Sequence, residues 1–267
     1  MTDFTTLALE RRGAIEILSL DRPEALNAIS LEMVDEASAY FSGLYDRLDV
    51  RVVILRGNGR AFSAGADLDS VAFAESGAGR PQRQMAMQKR YSGLIKLMRG
   101  CPQPIIGLVH GPACGGGFSL ALACDVRYAA PDARMNAAYI RVGLGGCDMG
   151  AGYLLPRLVG VSNASEFLLT GRFIDAKRAL RIGLVSEIVA EDELLAAGLA
   201  LAEDMLKTAP MGLRMTKDAL NLEIDAPSLD AALAIEDRQQ VILLATEDHE
   251  EAVAAFRQKR APVFRDA

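Results

Sequence analysis

The stretch HGPACGGGFSLALACDVRYAA, His110 to Ala130, decides how the chain is read. The apolar run IIGLVHG (105–111) leads into it, Gly115, Gly116 and Gly117 stand in its middle, and FSLALACD follows with small and apolar residues at helical spacing. Glycines in series cost conformational entropy, so a bare backbone is needed there. A strand that enters a glycine turn and opens a helix leaves first-turn N–H groups unpaired at the positive end of the helix dipole. That arrangement holds an anion or an oxyanion. Tight packing of strand against helix, with no ligand at all, accounts for the glycines equally well. No GK[ST] follows them, which disfavours a phosphate-binding P-loop, and a dinucleotide fingerprint with its ribose-binding acid is missing as well.

A second unit of the same kind lies upstream. VRVVILRG (50–57) reads as a buried strand, and NGRAFSAGADLDS (58–70) is a loop of small and turn-forming residues. Its Ala64-Gly65-Ala66-Asp67-Leu68 turn is another source of a bare N–H. Two such turns, each giving one N–H, make an oxyanion hole for a thioester carbonyl.

Working outward, residues 4–9 and 14–20 read as strands joined by a hairpin at Glu10-Arg11-Arg12-Gly13, and Ser30 as an N-cap. ESGAGRPQRQ (75–84) reads as mobile, and the helix after it ends at Arg99, before Cys101-Pro102-Gln103-Pro104. DVRYAA (125–130) is a further strand. The repeated strand, glycine turn and helix predict an α/β protein, a coiled stack of βα-type units with loops gathered on one side. From about Glu191 the pattern is nearly continuous helix, broken at Pro210 and at Ala226-Pro227. A boundary near 195 therefore separates a core (1–195) from a helical region (196–267) whose own apolar face suits an oligomer interface.

Composition narrows the function. The 267 residues are 51% hydrophobic and 24% charged with a net charge of −6, so a sizeable core is available and a broad nucleic-acid footprint is disfavoured. Four cysteines without a CxxC pair and only two histidines argue against a zinc site or any other metal centre. The first residues, MTDFTTLALE, lack the pattern of a signal peptide, and no apolar run reaches the roughly 20 residues that cross a bilayer. A reduced, cytoplasmic protein is the expectation, with no membrane or nucleic-acid partner.

With these residues in view, the chain resembles the crotonase superfamily of enoyl-CoA hydratases and isomerases. The likeness is carried by FSAGADL (62–68), His110–Ala130 and LTGRFIDAKRALRIGLVSEIV (169–189), with DRPEALNAIS (21–30) and AFRQKRAPVF (255–264) matching the two ends of the family pattern. The resemblance implies a crotonase-like spiral of ββα repeats with a C-terminal helical trimerisation region, as a homotrimer or a dimer of trimers. It implies an acyl-CoA substrate, with no cofactor beyond the coenzyme A that enters on that substrate. By motif the oxyanion donors fall on Ala66 and Gly116, flanked by Ala64, Gly65 and Gly115. Asp67 is expected to cap the short helix that follows. Arg22, together with Arg257, Lys259 and Arg260, is placed to meet the CoA phosphates.

Two positions depart from the family. Hydratases carry a glutamate two residues after the glycine triplet, where this chain has Ser119, and Tyr139 stands at the second glutamate position. Hydration needs a base for water and an acid for the α carbon, and neither residue is a good base. Asp148, in GLGGCDMGAGYLLPRLVG (143–160), resembles the aspartate of dienoyl-CoA isomerases and 4-chlorobenzoyl-CoA dehalogenases. The further acids of the first and the histidine of the second are absent. Asp148 therefore reads as the acid/base of a single-base isomerisation, or else as the N-cap of a helix beginning near Met149. Tyr139 and Arg141 line the acyl pocket or face outward, whereas His110, Cys114 and Cys147 read as structural. The main reading is an enoyl-CoA hydratase/isomerase-type enzyme. The alternatives are a catalytically silent acyl-CoA-binding homologue and a CoA thioester hydrolase.

Overall fold

A strand sends successive side chains to opposite faces, and the central strands of this chain are apolar on both. The structure is a computed structural model that describes residues 4–68, 77 and 79–267. Its strands are β1 (Leu7–Arg12), β2 (Ile15–Leu20), β3 (Val52–Gly57), β4 (Ile105–Val109), β5 (Pro112–Cys114), β6 (Val126–Ala129), β7 (Arg134–Asn136), β8 (Ile174–Asp175) and β9 (Glu187–Ile188). The helices described are α1 (Leu31–Gly43), α2 (Arg80–Gly100), α3 (Gly116–Ala123), α4 (Ala151–Val159), α5 (Val161–Thr170), α6 (Ala176–Arg181), α7 (Leu194–Leu206), α8 (Pro210–Glu223), α9 (Leu229–Leu244) and α10 (Glu247–Gln258).

The main sheet runs β1-β2-β3-β4-β6-β9, antiparallel at β1–β2 and parallel elsewhere. Val53 and Leu55 of β3 join Leu18, Leu20, Ile105 and Val109 in a core covered by α1 and α2. Val52 and Ile54 join Ile15, Ile17, Ile106 and Leu108 on the other face, beneath Leu194, Leu199 and Ala202 of α7. The first hairpin turns later than its sequence suggests. Glu10, Arg11 and Arg12 pair with Ile17, Glu16 and Ile15, and Gly13 (φ +61°) makes the turn. β1 is an edge strand exposed from Leu9 to Arg12, where charged side chains are no obstacle to pairing.

Short second strands build the smaller sheet, in the order β5-β7-β8. Isolated parallel pairings of Ser63 with Ala113 and of Ile29 with Ala66 extend it toward the N-terminus. β4 is followed by the short β5 and β6 by the short β7, and β4-β5-α3 is a complete ββα unit of the expected spiral. Ser30 caps α1 as expected, its hydroxyl accepting the Met33 N–H at 3.2 Å. The ESGAGRPQRQ segment falls partly outside the described residues, and from Arg80 onward it belongs to α2.

The expected boundary near 195 falls in the first turn of α7, which packs on the main sheet. Uncovered apolar side chains start later, at Leu220 and Ile224, and α9 buries none of its residues. Leu229 and Val241 of α9 and Phe256 of α10 are 72%, 67% and 85% exposed.

α3 is buried along its whole length. At its start, a Cβ built on Gly117 would stand 2.5 Å from the Ser63 carbonyl oxygen, so only a bare backbone permits this approach. At its end, Arg127 donates to the carbonyls of Ala121, Leu122 and Cys124, and Arg99 to that of Ala123 at 3.3 Å. Lys217, from α8, reaches Asp125 at 3.0 Å and the Gln103 carbonyl at 2.8 Å beside them. These cations complement the negative end of the helix dipole and satisfy its last carbonyls.

Two outcomes follow for stability in urea. Gly117→Ala is expected to lose about 2–3 kcal/mol by overpacking against Ser63, and a loss under about 0.5 kcal/mol would contradict the close approach. Arg127→Met is expected to lose roughly 2–4 kcal/mol, because it strands buried carbonyls. Wild-type stability in that variant would mean those carbonyls are solvated.

Candidate active site

The site begins with strand register. Ser63 N–H donates to the Pro112 carbonyl at 3.0 Å, and Cys114 N–H to the Ser63 carbonyl at 2.9 Å. Ala66 and Gly116 each stand three residues beyond their member of the Ser63–Ala113 pair, so the two turns run side by side. Ile29 donates to Gly65 at 2.7 Å and accepts from Asp67 at 3.1 Å. In parallel pairing the residue between, Ala66, turns its own N–H away from Ile29. The Gly116 N–H belongs to the first turn of α3, where no intrahelical acceptor exists.

Among the described residues neither N–H has an acceptor, and both residues line a cavity of about 100 Å³. A Cβ built on Gly116 would lie 3.7 Å from the Ala66 nitrogen, and one on Gly65 3.4 Å from the Gly116 nitrogen, so the two donors are neighbours. Gly65 has φ +98°, and its Cβ would press to 2.6 Å from the Cys114 carbonyl oxygen. Ala64, Gly65 and Gly115 line the same cavity.

Asp148 lines it too. The helix beyond it begins at Ala151 with Gly150 as its N-cap residue, so the Asp148 carboxylate caps no helix there. Its Oδ1 accepts the Met149 N–H at 2.7 Å and the Gln88 side-chain amide, whereas Oδ2 takes no donor among the described residues. Tyr91, Tyr139, Leu68, Val142, Leu144 and Met149 complete most of the wall.

Ser119 is fully buried and lies behind Tyr139 rather than on the cavity surface. Its Oγ is 2.7 Å from the Tyr139 hydroxyl and donates to the Asp148 carbonyl at 3.3 Å. The phenol therefore donates to Ser119, and the chain ends on a main-chain oxygen. Burial raises the Tyr139 phenol far above its ordinary pKa, with smaller contributions from Asp148 and Cys147. Burial, helped by Asp67, pushes Tyr91 up to about 12. Both rings are neutral phenols near neutral pH. Burial likewise raises Cys114, so its thiol is no ready nucleophile.

The remaining sequence candidates lie off the cavity. Arg22 donates to Asp67 at 2.9 Å and to the Ala28 carbonyl at 2.7 Å, bracing the turn that carries Ala66. Asp67 accepts that guanidinium, and the short helix it was expected to cap falls outside the described residues. Lys259 ends α10 with φ +54° in an exposed position. Arg260 forks onto Glu251 at 2.6 and 2.7 Å, which holds the Glu251 carboxyl down to about 2. His110 pairs with the Gly59 carbonyl at 2.8 Å. Gln88 and Tyr91 are the side chains that sequence reading missed. Their spacing with Ile95 and Met98 marks one face of a helix, which could have pointed to them.

Among the described residues no cluster of three potential metal ligands occurs, and no helix is long and apolar enough to cross a membrane. The enoyl-CoA hydratase/isomerase family model matches residues 10–267. A protein of Mycobacterium tuberculosis named "Probable enoyl-CoA hydratase EchA12" is 41% identical over 259 residues, covering 96% of this chain and 90% of that one. The short-chain-enoyl-CoA hydratase of Clostridium acetobutylicum is 30% identical over 259 residues, with 97% of each chain covered. Among solved structures, the enoyl-CoA hydratase of Bacillus anthracis superposes with a TM-score of 0.93 at 29% identity, covering 98% of this chain and 100% of that one. Joined to two neighbouring turns with open N–H groups, these likenesses make the chain a member of the enoyl-CoA hydratase/isomerase family, with the crotonase fold.

Proposed function

We propose that the protein is an acyl-CoA enzyme that moves a proton along an enoyl chain, with Ala66 and Gly116 as oxyanion donors and Asp148 as the single acid/base. One observation carries this reading: Ala66 and Gly116, whose N–H groups are unpaired among the described residues, line the same cavity as Asp148, whose Oδ2 takes no donor among those residues. A thioester carbonyl accepting both N–H groups makes its α and vinylogous γ protons acidic. Asp148 Oδ2 takes a proton from one carbon, the electron pair moves onto the carbonyl oxygen, and the enolate is held by the two donors. Return of the same proton at the other carbon shifts the double bond, with no atom gained or lost. Each oxyanion donor is worth about 3 kcal/mol of barrier, and the positioned carboxylate about 10²–10⁴-fold in rate.

The residues at the usual glutamate positions support isomerisation over hydration. Ser119 and Tyr139 are hydrogen-bonded to each other and to a carbonyl, so neither has a lone base to offer water. This chemistry asks for no cofactor beyond the coenzyme A on the substrate. Its phosphates would be met by Arg22 and by Lys259 at the end of α10. The uncovered faces of α8, α9 and α10 suit a homotrimer or a dimer of trimers, with 196–267 as its oligomerisation region. The free cysteines fit a reducing cytoplasm.

Asp148→Asn is expected to lower kcat at least about 100-fold while acyl-CoA affinity holds within a few-fold. The assay is a panel of enoyl-, dienoyl- and aryl-CoA esters read by mass spectrometry and absorbance. Unchanged mass with a changed spectrum is the expected product. A gain of water would mean hydration, free thiol would mean hydrolysis, and binding without turnover would mean a silent homologue. Wild-type rate in Asp148→Asn would end the acid/base assignment. Light scattering is expected to report three subunits or six, and a monomer at micromolar concentration would sink the oligomer reading.

A further inference from the structure

The acid of the site is held by a residue far away in sequence. Gln88 is sixty positions before Asp148, on α2, and its amide reaches across to Oδ1. α2 is a firm platform, because Tyr91, Leu94, Ile95 and Met98 on the same side are buried in the main core. The loop that carries Asp148 rests on this helix: a Cβ built on Gly150 would meet Ile95 Cγ2 at 3.3 Å. One turn along, the Tyr91 hydroxyl donates to the Ile29 carbonyl at 3.1 Å. That carbonyl also receives the Asp67 N–H next to the first oxyanion donor. A single face of α2 therefore touches both the acid and the oxyanion turn.

The hydrogen bonds on Asp148 are asymmetric. A carboxylate only accepts, so Gln88 presents its NH₂ group to it. With the Met149 N–H, this gives Oδ1 two donors and Oδ2 none. Oδ1 then has both lone pairs engaged, and a proton taken up by Asp148 sits on Oδ2. We propose that Gln88 is a positioning residue that fixes Oδ2 as the oxygen of Asp148 that carries the proton. The inference rests on Asp148 being the acid/base, as proposed above. Gln88 itself lines the cavity, so the test must separate an action through Asp148 from a direct contact with substrate. Removing the amide frees the carboxylate to rotate about its side-chain bonds, held by one N–H instead of two donors, and the proton is no longer delivered from a fixed oxygen.

Two measurements test this. The first is a double-mutant cycle with Gln88→Leu, Gln88→Glu and Asp148→Asn on the ester of the panel that the parent turns over fastest. Gln88→Leu and Gln88→Glu are expected to lower kcat roughly 10- to 100-fold with KM within about three-fold. Either one added to Asp148→Asn should lower the rate no further, because the effect of Gln88 runs through Asp148, whereas a direct substrate contact would add its own loss. A merely structural role would instead give additive losses, and that outcome overturns the inference. The second is a crystal structure of Gln88→Leu, which needs no turnover. Asp148 is expected in more than one rotamer there, and a single unmoved rotamer overturns the inference. The two readings fail separately. Full activity in Asp148→Asn removes the acid/base reading, whereas an inactive Asp148→Asn beside a fully active Gln88→Leu removes only the role of Gln88.

Discussion

The pairing of Ser63 with Ala113 is the contact on which the site depends. Two hydrogen bonds fix the register of segments that are fifty residues apart in the chain, and each segment then runs three residues to its donor. A slip of one residue would turn one donor to the wrong face, because strand geometry alternates by residue. The glycines around the pair exist to let it form. Gly117 brings α3 against the Ser63 carbonyl, and Gly65 lets the first turn lie on the Cys114 carbonyl. The Ser63 side chain tightens the same corner, donating to the Asn27 carbonyl at 2.8 Å and accepting the Gly65 N–H at 3.2 Å.

α3 joins that corner to the rest of the molecule. Its N-terminus offers a donor to the cavity, and its C-terminus is gripped by Arg99 and Arg127, with Lys217 close by. Lys217 comes from α8, beyond the boundary expected in the sequence. The helical region therefore has a part in supporting the core, separate from whatever its uncovered faces meet. An eight-residue helix with no polar face has little stability of its own, so burial and cationic capping must hold it in place.

Much of this was legible in the residues. The two glycine turns, the strands before them and the helix after the second were all readable, because glycine runs and apolar strands are strong local signals. The short strands β5, β7 and β8 were not, since two or three extended residues have no measurable period. The hairpin at Gly13 was placed too early because charged residues read as a turn, although an edge strand tolerates them. Ala66 and Gly116 came from motif and the geometry brings them together. Arg22 and Lys259 came the same way, but lie off the cavity in this chain. Asp148 could be read only as an acid or a cap, and the helix start at Ala151 removes the cap. The helix-face spacing of Gln88 with Tyr91, Ile95 and Met98 was readable, but its partner was not, because that contact spans sixty residues.

The run from Tyr139 through Ser119 to the Asp148 carbonyl has a consequence for how the site conducts protons. A hydrogen-bond wire relays charge only if its last member can pass a proton on, and a main-chain carbonyl cannot. Every proton in this run points the same way, toward a dead end. The wall where a hydratase would keep its second carboxylate is thus an insulator: it is polar enough to be satisfied, yet closed to traffic. Along that wall a proton has no exit.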